Sequence, residues 1–259
     1  MRIKFSKYQG TGNDFIMIDG RTLTKKLSLE KIRKLCHRRF GIGADGLIIV
    51  LPHASYDFEM DYYNADGSQS FCGNGSRCAQ AFAKQLGMIG EKSKFLAIDG
   101  VHFGESRGEK FATKMGDVLH IDRRGQDYLI HTGSPHYIRY IEEDVDHIDV
   151  YTLGASIRYN EEFKKEGVNV NFVSEEKGNI KVRTYERGVE NETYSCGTGV
   201  TAVAISFEEK NAQNSHSCLL QTKGGDLRVE YRREKTGSYK DIWLIGPAEL
   251  VFYGEVSLD

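Results

Sequence analysis

The sequence contains Phe71-Cys72-Gly73-Asn74-Gly75-Ser76-Arg77-Cys78-Ala79 and, about half a chain later, Ser195-Cys196-Gly197-Thr198-Gly199-Val200-Thr201-Ala202-Val203. Each stretch is a cysteine followed by Gly-x-Gly and then by residues typical of a helix. Because glycine has no side chain, the backbone N–H groups at such a helix start stay accessible, and together with the helix dipole they favour an anion. A cysteine at a helix N-terminus also has its thiol pKa lowered from about 8.5. The pattern therefore predicts two reactive thiols, Cys72 and Cys196, each beside an anion-binding helix start.

The helices predicted after the two cysteines, over residues 76–86 and 200–207, are apolar on more than one face. Such a helix is enclosed by its surroundings rather than laid on one side of a sheet. Both halves of the chain run in the same order: strands, a polar loop, Cys-Gly-x-Gly, the apolar helix and further strands. An internal duplication explains this order and predicts a mixed α/β (α+β) fold of two similar lobes, each a curved sheet around its own helix. We place the boundary between the lobes near residues 112–118.

The composition of the chain sets limits on its function. The 259 residues carry a net charge of −2, with 39% hydrophobic and 28% charged residues, which is typical of a soluble globular protein and gives no electrostatic reason to bind nucleic acid or a membrane. We find no apolar segment of a secretory signal at the N-terminus and no apolar run as long as a membrane span. Five cysteines, an odd number, argue against a disulfide framework and for a reducing compartment, so we expect a cytoplasmic protein. The cysteine and histidine spacings match no metal site.

Two thiols of this kind suit a reaction that inverts a carbon centre. Inversion needs a base on one face of the carbon and an acid on the opposite face. If the lobes face each other across a cleft, Cys72 and Cys196 supply that pair. The two helix starts can then bind the substrate carboxylate and stabilise negative charge as the α-proton leaves.

Other local signals are those of ordinary secondary structure. Ser28 is the predicted N-cap of a helix over residues 28–40, and Cys36 is interpreted as a core residue of that helix. Cys78 is likewise interpreted as a packing residue. A shorter helix is predicted around residues 157–166, where Gly167 would end it.

Several short motifs resemble the diaminopimelate epimerase family, and the resemblance runs from one end of the chain to the other. Each motif alone is weak, but their order and spacing together are highly specific. The motifs are Gly12-Asn13-Asp14-Phe15, Gly41-Ile42-Gly43-Ala44-Asp45-Gly46, Asn64-Ala65-Asp66-Gly67-Ser68, Cys72-Gly73-Asn74-Gly75, Pro135-His136, Asn169-Val170, Glu186-Arg187-Gly188 and Cys196-Gly197-Thr198-Gly199.

The resemblance implies two α/β lobes, each a strongly curved mixed sheet around a central helix, with the last strand returning to the N-terminal lobe. In this chain the lobes would be residues 1–114 with 248–259, and residues 115–247. It implies an isomerase that interconverts LL- and meso-diaminopimelate without pyridoxal phosphate, another cofactor or a metal. The reaction would belong to the biosynthesis of lysine and peptidoglycan precursors. Diaminopimelate would be the small-molecule partner, and we expect a homodimer.

The same resemblance implies roles for individual residues. Cys72 and Cys196 would be the two acid/base groups, and His136 and Glu186 would modulate their pKa values. Arg187 is suited to a bidentate grip on the distal carboxylate, because a guanidinium presents two parallel N–H donors. The residues that would line the substrate site are Asn13, Asn64, Gly73, Asn74, Asn169, Glu186, Arg187, Gly197 and Thr198.

Three positions depart from the pattern of the family. Ser134 stands where an asparagine usually precedes Pro-His, so its contact with substrate would be shorter or mediated by water. Gly46 replaces a glutamine that some members use. The loop over residues 189–195 is one residue longer than the commonest form. These departures concern single contacts, not the reaction.

Other functions are compatible with a duplicated cysteine motif. A proline racemase or another amino-acid racemase of the same fold would also use two cysteines, but a proline racemase has no need for the Glu186-Arg187 pair. Phenazine-biosynthesis isomerases share the fold without this cysteine pair. A binding protein switched by a Cys72–Cys196 disulfide is a non-enzymatic alternative, and substrate-dependent protection of the thiols would distinguish it from an enzyme.

Overall fold

The structure, a computed structural model, describes residues 2–176, 178–212 and 215–258. The chain divides into two compact units. The first contains the residues up to Thr113 together with those from Gly246 onward, and the second is Lys114–Ile245. The two units are described separately below.

The first unit is a mixed sheet with two helices. Its strands pair in the order β17, β1, β2, β3, β4, β5, β6 and β7, and the pairs β2/β3 and β4/β5 are parallel while the others are antiparallel. The elements are β1 Arg2–Gly10, β2 Asn13–Asp19, a 3-10 turn Gly20–Thr22, α1 Leu29–Cys36, β3 Gly46–Leu51, β4 Phe58–Asn64, α2 Gly73–Gln85, β5 Lys92–Ala97, β6 Gly100–Arg107, β7 Lys110–Lys114 and β17 Glu249–Ser257.

The second unit repeats this arrangement. Its strands pair in the order β8, β9, β10, β11, β12, β14, β15 and β16, again with the third and fifth pairs parallel, and the short β13 adds to β12. The elements are β8 Ile121–Arg124, β9 Asp127–His131, β10 Pro135–Tyr140, a 3-10 turn Val145–His147, α3 Val150–Arg158, β11 Asn169–Glu176, β12 Asn179–Glu186, β13 Asn191–Thr193, α4 Gly197–Asn211, β14 Ser217–Thr222, β15 Gly225–Arg233 and β16 Tyr239–Pro247.

The two parallel pairs explain where the helices lie. Parallel strands need a crossover connection, and here each crossover carries a helix. In the first unit α1 connects β2 to β3 and α2 connects β4 to β5; in the second, α3 and α4 occupy the corresponding places. The same strand order, the same directions and the same helix positions confirm the predicted α+β fold of two similar units.

The helix that follows each Cys-Gly-x-Gly motif is the centre of its unit. α2 contacts β1, β2, β3, β4 and β6, while α4 contacts β9, β10, β11, β12, β14 and β15. A straight helix can touch so many strands of one sheet only if the sheet curves around it. The enclosed position agrees with the predicted all-round apolar character, and Cys78 lies fully buried in this core as expected.

Close contact between a central helix and its sheet requires a glycine on β6. A Cβ atom built on Gly104 would lie 1.9 Å from Oε1 of Gln80 on α2. Since no side chain fits there, glycine lets this strand approach the helix. The contact helps to fix the depth at which α2 lies in its sheet.

Some predicted helix bounds were wrong. The helix expected over residues 157–166 is α3, which begins after Asp149, whose carboxylate accepts the Thr152 N–H at 3.0 Å. Asn160 then accepts the N–H groups of Glu162 and Phe163 with its side chain, so residues 161–166 form turns. The helix expected to reach residue 40 ends at Cys36, which is buried as predicted.

Among the helices in the described part of the chain, none combines the length and apolar character needed to cross a membrane.

Candidate active site

Cys72 is the N-cap residue of α2. Its backbone is extended, and the Gly75 N–H points to its Sγ atom at 3.4 Å. The side chain is partly exposed, unlike Cys78 one turn further along the helix. The helix begins at Gly73, three residues earlier than predicted, so the Gly-x-Gly segment forms its first turn. The sulfur therefore lies where the N–H groups of a helix start favour negative charge.

Asn13 contacts the Cys72 sulfur. Its Oδ1 atom lies 3.5 Å from Cys72 Sγ and 3.5 Å from Nδ2 of Asn74. Its Nδ2 atom donates to Oδ2 of Asp45 at 2.7 Å. Because a carboxylate only accepts, Asp45 sets the orientation of the Asn13 amide and turns the carbonyl oxygen toward the thiol.

Asp45 is held by a network of charges behind Asn13. Arg38 donates to Asp45 and to Asp14, at 2.7 Å in each case, and Lys7 forms an ion pair with Asp14 at 2.6 Å. Burial opposes ionisation of Asp14, but the hydrogen bonds from Arg38 and Lys7 outweigh it and lower its pKa to about 2. The sequence motif contained Asp45, yet only the structure shows that it orients Asn13.

Asn64 is engaged with the loop that leads to Cys72. Its Nδ2 donates to Ser68 Oγ at 3.0 Å and to Ser70 Oγ at 3.3 Å, and its Oδ1 accepts from the Tyr62 hydroxyl at 2.7 Å. Its strand neighbour is Gly46, where a Cβ atom would lie 2.4 Å from the Tyr62 ring. The aromatic ring thus excludes the larger residue that some family members carry at this position.

Cys196 is the N-cap residue of α4, as Cys72 is of α2. Its side chain is buried, and Sγ lies 3.4 Å from the Thr198 hydroxyl. α4 also begins at its first motif glycine, Gly197, three residues before the predicted start. Both motif cysteines therefore occupy the same place relative to their helices, but a different polar side chain contacts each sulfur.

His136 reaches Cys196 through Thr198. Its Nε2 lies 2.9 Å from Thr198 Oγ1 and 2.9 Å from Ser134 Oγ, while its Nδ1 faces Nδ2 of Asn171 at 3.2 Å. Asn171 Nδ2 also donates to the Tyr137 carbonyl, so it is the amide nitrogen that faces the ring. Nδ1 is consequently the acceptor, and Nε2 carries the proton.

Burial keeps the His136 imidazole neutral. The side chain is fully buried, and burial, with smaller contributions from His131 and Arg187, lowers its pKa to about 3. A neutral Nε2–H that donates to Thr198 leaves the Thr198 hydroxyl proton free to point at the Cys196 sulfur. The order is therefore imidazole to hydroxyl to sulfur, and this order favours negative charge on Cys196.

Asn171 is a site residue that the sequence analysis missed. It lies two residues after Asn169 on β11, so both side chains face the same side of the sheet. Its Oδ1 accepts from Thr184, and a Cβ atom on Gly199 would lie 2.5 Å from that oxygen. The second motif glycine therefore allows α4 to approach β11. The alternating Asn-Val-Asn sequence was the available signal.

The remaining predicted residues of the second unit hold one another. Asn169 donates to Ser134 Oγ at 3.1 Å and accepts the Arg187 N–H at 2.9 Å. Glu186 accepts from the Thr193 hydroxyl at 2.9 Å, across the pair of strands that frames the longer loop. Ser134, a departure from the family pattern, thus contacts Asn169, His136 and Thr198 within this network.

The guanidinium of Arg187 lies at the surface of this network. Nη1 donates to the carbonyl of Glu166 at 3.1 Å. Gly167, at φ +78°, fits closely beside it, since a Cβ atom there would lie 2.6 Å from Arg187 Cδ. The start of the side chain is therefore fixed at a defined place near Asn169.

The predicted site residues form two groups, one at the start of each central helix. In the first unit they are Asn13, Asn64, Cys72, Gly73 and Asn74; in the second they are His136, Asn169, Glu186, Arg187, Cys196, Gly197 and Thr198. Within the described residues, no cluster of three or more His, Cys, Asp or Glu side chains is arranged to hold a metal ion.

Comparisons with known proteins give one family. A sequence model described as diaminopimelate epimerase matches residues 5–100 and 128–251. A diaminopimelate epimerase from Flavobacterium psychrophilum is 45% identical over 254 residues, which cover 96% of this chain and 98% of that protein. A solved phenazine biosynthesis protein of the PhzF family from Bacillus anthracis aligns with a TM-score of 0.74 at 13% identity, covering 100% of both chains. A probable proline racemase from Agrobacterium radiobacter aligns with a TM-score of 0.70 at 15% identity, covering 99% of this chain and 93% of that one. At such identities the two solved structures show the fold alone.

Proposed function

The chain belongs to the diaminopimelate epimerase family, and we propose that Cys72 and Cys196 are the two groups with which it inverts an α-carbon. The protein is an isomerase, a diaminopimelate epimerase, that interconverts LL- and meso-diaminopimelate. The observation that supports the proposed roles is the repeated cysteine N-cap: each unit presents one thiol at the start of its central helix.

The proposed chemistry is a pair of proton transfers. A thiolate removes the α-proton, so the C–H bond breaks and an S–H bond forms, and the electron pair delocalises into the adjacent carboxylate. A thiol on the opposite face then protonates the carbon, and its S–H electron pair stays on sulfur as a thiolate. No group is oxidised or reduced, and the enzyme ends with the two protonation states exchanged. No cofactor is required by this balance.

The helix starts are proposed to bind the reacting carboxylate. The N–H groups of Gly73, Asn74, Gly197 and Thr198 belong to the first turns of α2 and α4, where the helix dipole favours an anion. They would also stabilise the negative charge that develops as the α-proton leaves. Asn13, Asn64 and Asn169 are proposed to orient the polar groups of the substrate, with Arg187 on its distal carboxylate.

His136 and Glu186 are proposed to act at a distance from the reacting carbon. Because His136 stays neutral at physiological pH, it would affect Cys196 through the orientation of the Thr198 hydroxyl rather than through charge. Glu186 is held by Thr193 and would supply negative charge toward the substrate ammonium.

Deuterium incorporation tests the function directly. The protein is incubated with LL-diaminopimelate in D₂O, without added cofactor, and the α-proton signal and the isomer ratio are followed by NMR. We expect α-deuterium and meso product. Exchange with proline but not with diaminopimelate would instead support a proline racemase, and absence of exchange with any amino acid would support a thiol-switched binding protein.

We also propose a cytoplasmic protein of lysine and peptidoglycan precursor biosynthesis. All five cysteines are free thiols, which is the state expected in a reducing compartment.

A homodimer is proposed from the edge of the first unit. β17 pairs with β1, its one neighbour among the described strands, and presents four consecutive exposed apolar residues: Leu250, Val251, Phe252 and Tyr253. Such an unprotected apolar edge strand favours association with another chain. We propose that a second copy covers it.

Val251→Lys should convert a dimer to a monomer, because it places a charge in the middle of the exposed edge. Light scattering coupled to size-exclusion chromatography measures the mass. Leu219→Lys, at an exposed apolar strand position in the second unit, is the matched control and should leave the dimer intact. A monomeric wild-type protein, or a dimeric Val251→Lys variant, would contradict this interface.

A further inference from the structure

Arg77 is a fully buried cation on α2, one turn beyond the Cys72 motif. Its relative exposure is 0%. Nε donates to the Pro247 carbonyl and Nη2 to the Thr11 hydroxyl, both at 3.3 Å. Nη1 is buried and has no hydrogen-bond partner among the described residues. Both of the partners are neutral oxygen atoms, so the guanidinium is buried without the carboxylate that usually accompanies such a group.

The charge is retained at physiological pH. Burial lowers the pKa of Arg77 to about 10, against the opposing influence of Cys78 and Cys72. Removing an ion from water is costly unless an opposite charge compensates it. The two thiols are therefore the candidates for the compensating anion.

Cys78 does not provide that anion. It is fully buried, and burial raises its pKa to about 12, so it is a neutral thiol. Burial likewise raises the pKa of Tyr8, on β1, to about 12. Glu249, on β17, is exposed and accepts a hydrogen bond from Gln9. Cys72, partly exposed at the helix start, is the group near Arg77 that can become an anion during turnover.

Other titratable groups near Cys72 already have partners. Asp14 and Asp45, behind Asn13, are paired with Lys7 and Arg38. On β6, the ring of His102 stacks on Phe71 with centroids 4.0 Å apart, and its Nε2 lies 2.8 Å from Asp99. These groups leave Arg77 as the buried cation not matched by a carboxylate.

Arg77 also supports the turn that carries Asn13. Thr11 has φ +51°, a left-handed conformation that is strained for a β-branched residue. Its hydroxyl accepts from Arg77 and donates to the Gly10 carbonyl. A Cβ atom on Gly10 would lie 3.4 Å from Arg77 Nη2 and 3.3 Å from the Asn74 carbonyl. The guanidinium is thus packed directly beneath the turn that positions Asn13 against Cys72.

We propose that Arg77 is a positioning residue that acts through Cys72: its buried charge stabilises the Cys72 thiolate, and its hydrogen bonds hold the turn that brings Asn13 to the sulfur. The inference rests on the proposed function in taking Cys72 as a proton-transfer group. In the thiol state the cation is poorly compensated, and loss of the thiol proton supplies the missing negative charge. The same charge therefore favours proton removal from Cys72 each time it must act as base.

Alkylation of Cys72 tests the charge without measuring epimerisation. The rate with iodoacetamide is measured from pH 5 to 10, and peptide mapping separates the Cys72 and Cys196 products. Arg77→Gln keeps a polar amide but removes the charge, so its Cys72 profile should move to higher pH and the rate at pH 7 should fall about tenfold. Arg77→Lys keeps the charge and should stay within about threefold of wild type at pH 7.

The controls separate charge from folding and from the assigned activity. Lys84→Met removes a cation near the far end of α2, and like the Cys196 peptide it should show no shift. Arg77→Met, which buries no polar group, replaces Arg77→Gln if that variant does not fold. An unshifted Cys72 profile in a folded neutral variant, or equal shifts in Arg77→Lys and the neutral variant, would overturn the proposal. The D₂O assay separately tests the function, so failure of one can be distinguished from failure of the other.

Discussion

Cys72→Ala and Cys196→Ala should each lower kcat/KM for diaminopimelate by about 10³-fold or more, because each removes one of two proton-transfer groups. The expected loss is chemical rather than structural, since alanine fills most of the volume of cysteine and keeps the helix start. Circular dichroism and thermal unfolding should therefore resemble those of the wild type. The measurement is epimerisation of LL- and of meso-diaminopimelate by purified protein.

Exchange without inversion provides a sharper form of this test. A variant that keeps one thiol can still remove the α-proton from the isomer that presents it to that thiol, but no acid remains on the other face. In D₂O, each variant should exchange one isomer much faster than the other, and the two variants should have opposite preferences. Equal exchange of both isomers by either variant would contradict the two-thiol mechanism.

Cys36→Ala and Cys218→Ala are the matched controls. Both thiols are buried, and burial raises the pKa of each to about 12, so neither is a reactive thiolate near neutral pH. We expect the activity to stay near that of wild type, with a stability loss of about 1 kcal/mol from lost packing. Loss of epimerisation in a folded control variant would show that the motif cysteines are not uniquely required.

The sequence allowed the fold class and the two thiols to be predicted because their signals are local. Gly-x-Gly after cysteine marks a helix start wherever it occurs, and all-round apolar residues mark an enclosed helix. Those properties do not depend on distant parts of the chain. The bounds were less accurate: Gly73 and Gly197 already belong to their helices, because glycine is tolerated in a first turn that the rest of the helix stabilises.

The residues that orient the site could not be predicted, because strand pairing brings them together. His136 lies opposite Asn169 in the parallel β10/β11 pair, and that register also brings Asn171 to its ring. Asp45 reaches Asn13 from a different strand connection in the same way. A single sequence contains no direct record of such registers, so these roles appear only in three dimensions.

Position 46 shows why a family pattern cannot be transferred residue by residue. Gly46 was noted as a departure whose consequence was open. The structure places the Tyr62 ring where a side chain at 46 would lie, with its hydroxyl on Asn64. The aromatic ring and the glycine are therefore complementary, and this complementarity was invisible while each residue was considered alone.

Arg187→Lys should lower kcat/KM for diaminopimelate about 10- to 100-fold, mainly through KM. Two hydrogen bonds from a planar guanidinium to the distal carboxylate cannot be reproduced by an ammonium group, and hydrogen bonds to a charged group contribute about 1.5–3 kcal/mol. Arg228→Lys, on the exposed side of β15, is the control and should leave both kinetic constants unchanged.

An analogue that lacks the distal carboxylate shows whether Arg187 acts on that group. With this analogue the wild type and Arg187→Lys should be equally slow, because the group that Arg187 contacts is absent from the substrate. The Arg187 N–H remains on Asn169 in the variant, so the local backbone is preserved and a change confined to the natural substrate reports side-chain recognition. If the variant were impaired equally with both compounds, Arg187 would act by supporting the structure around Asn169 and Gly167, and the proposed contact with the distal carboxylate would be wrong.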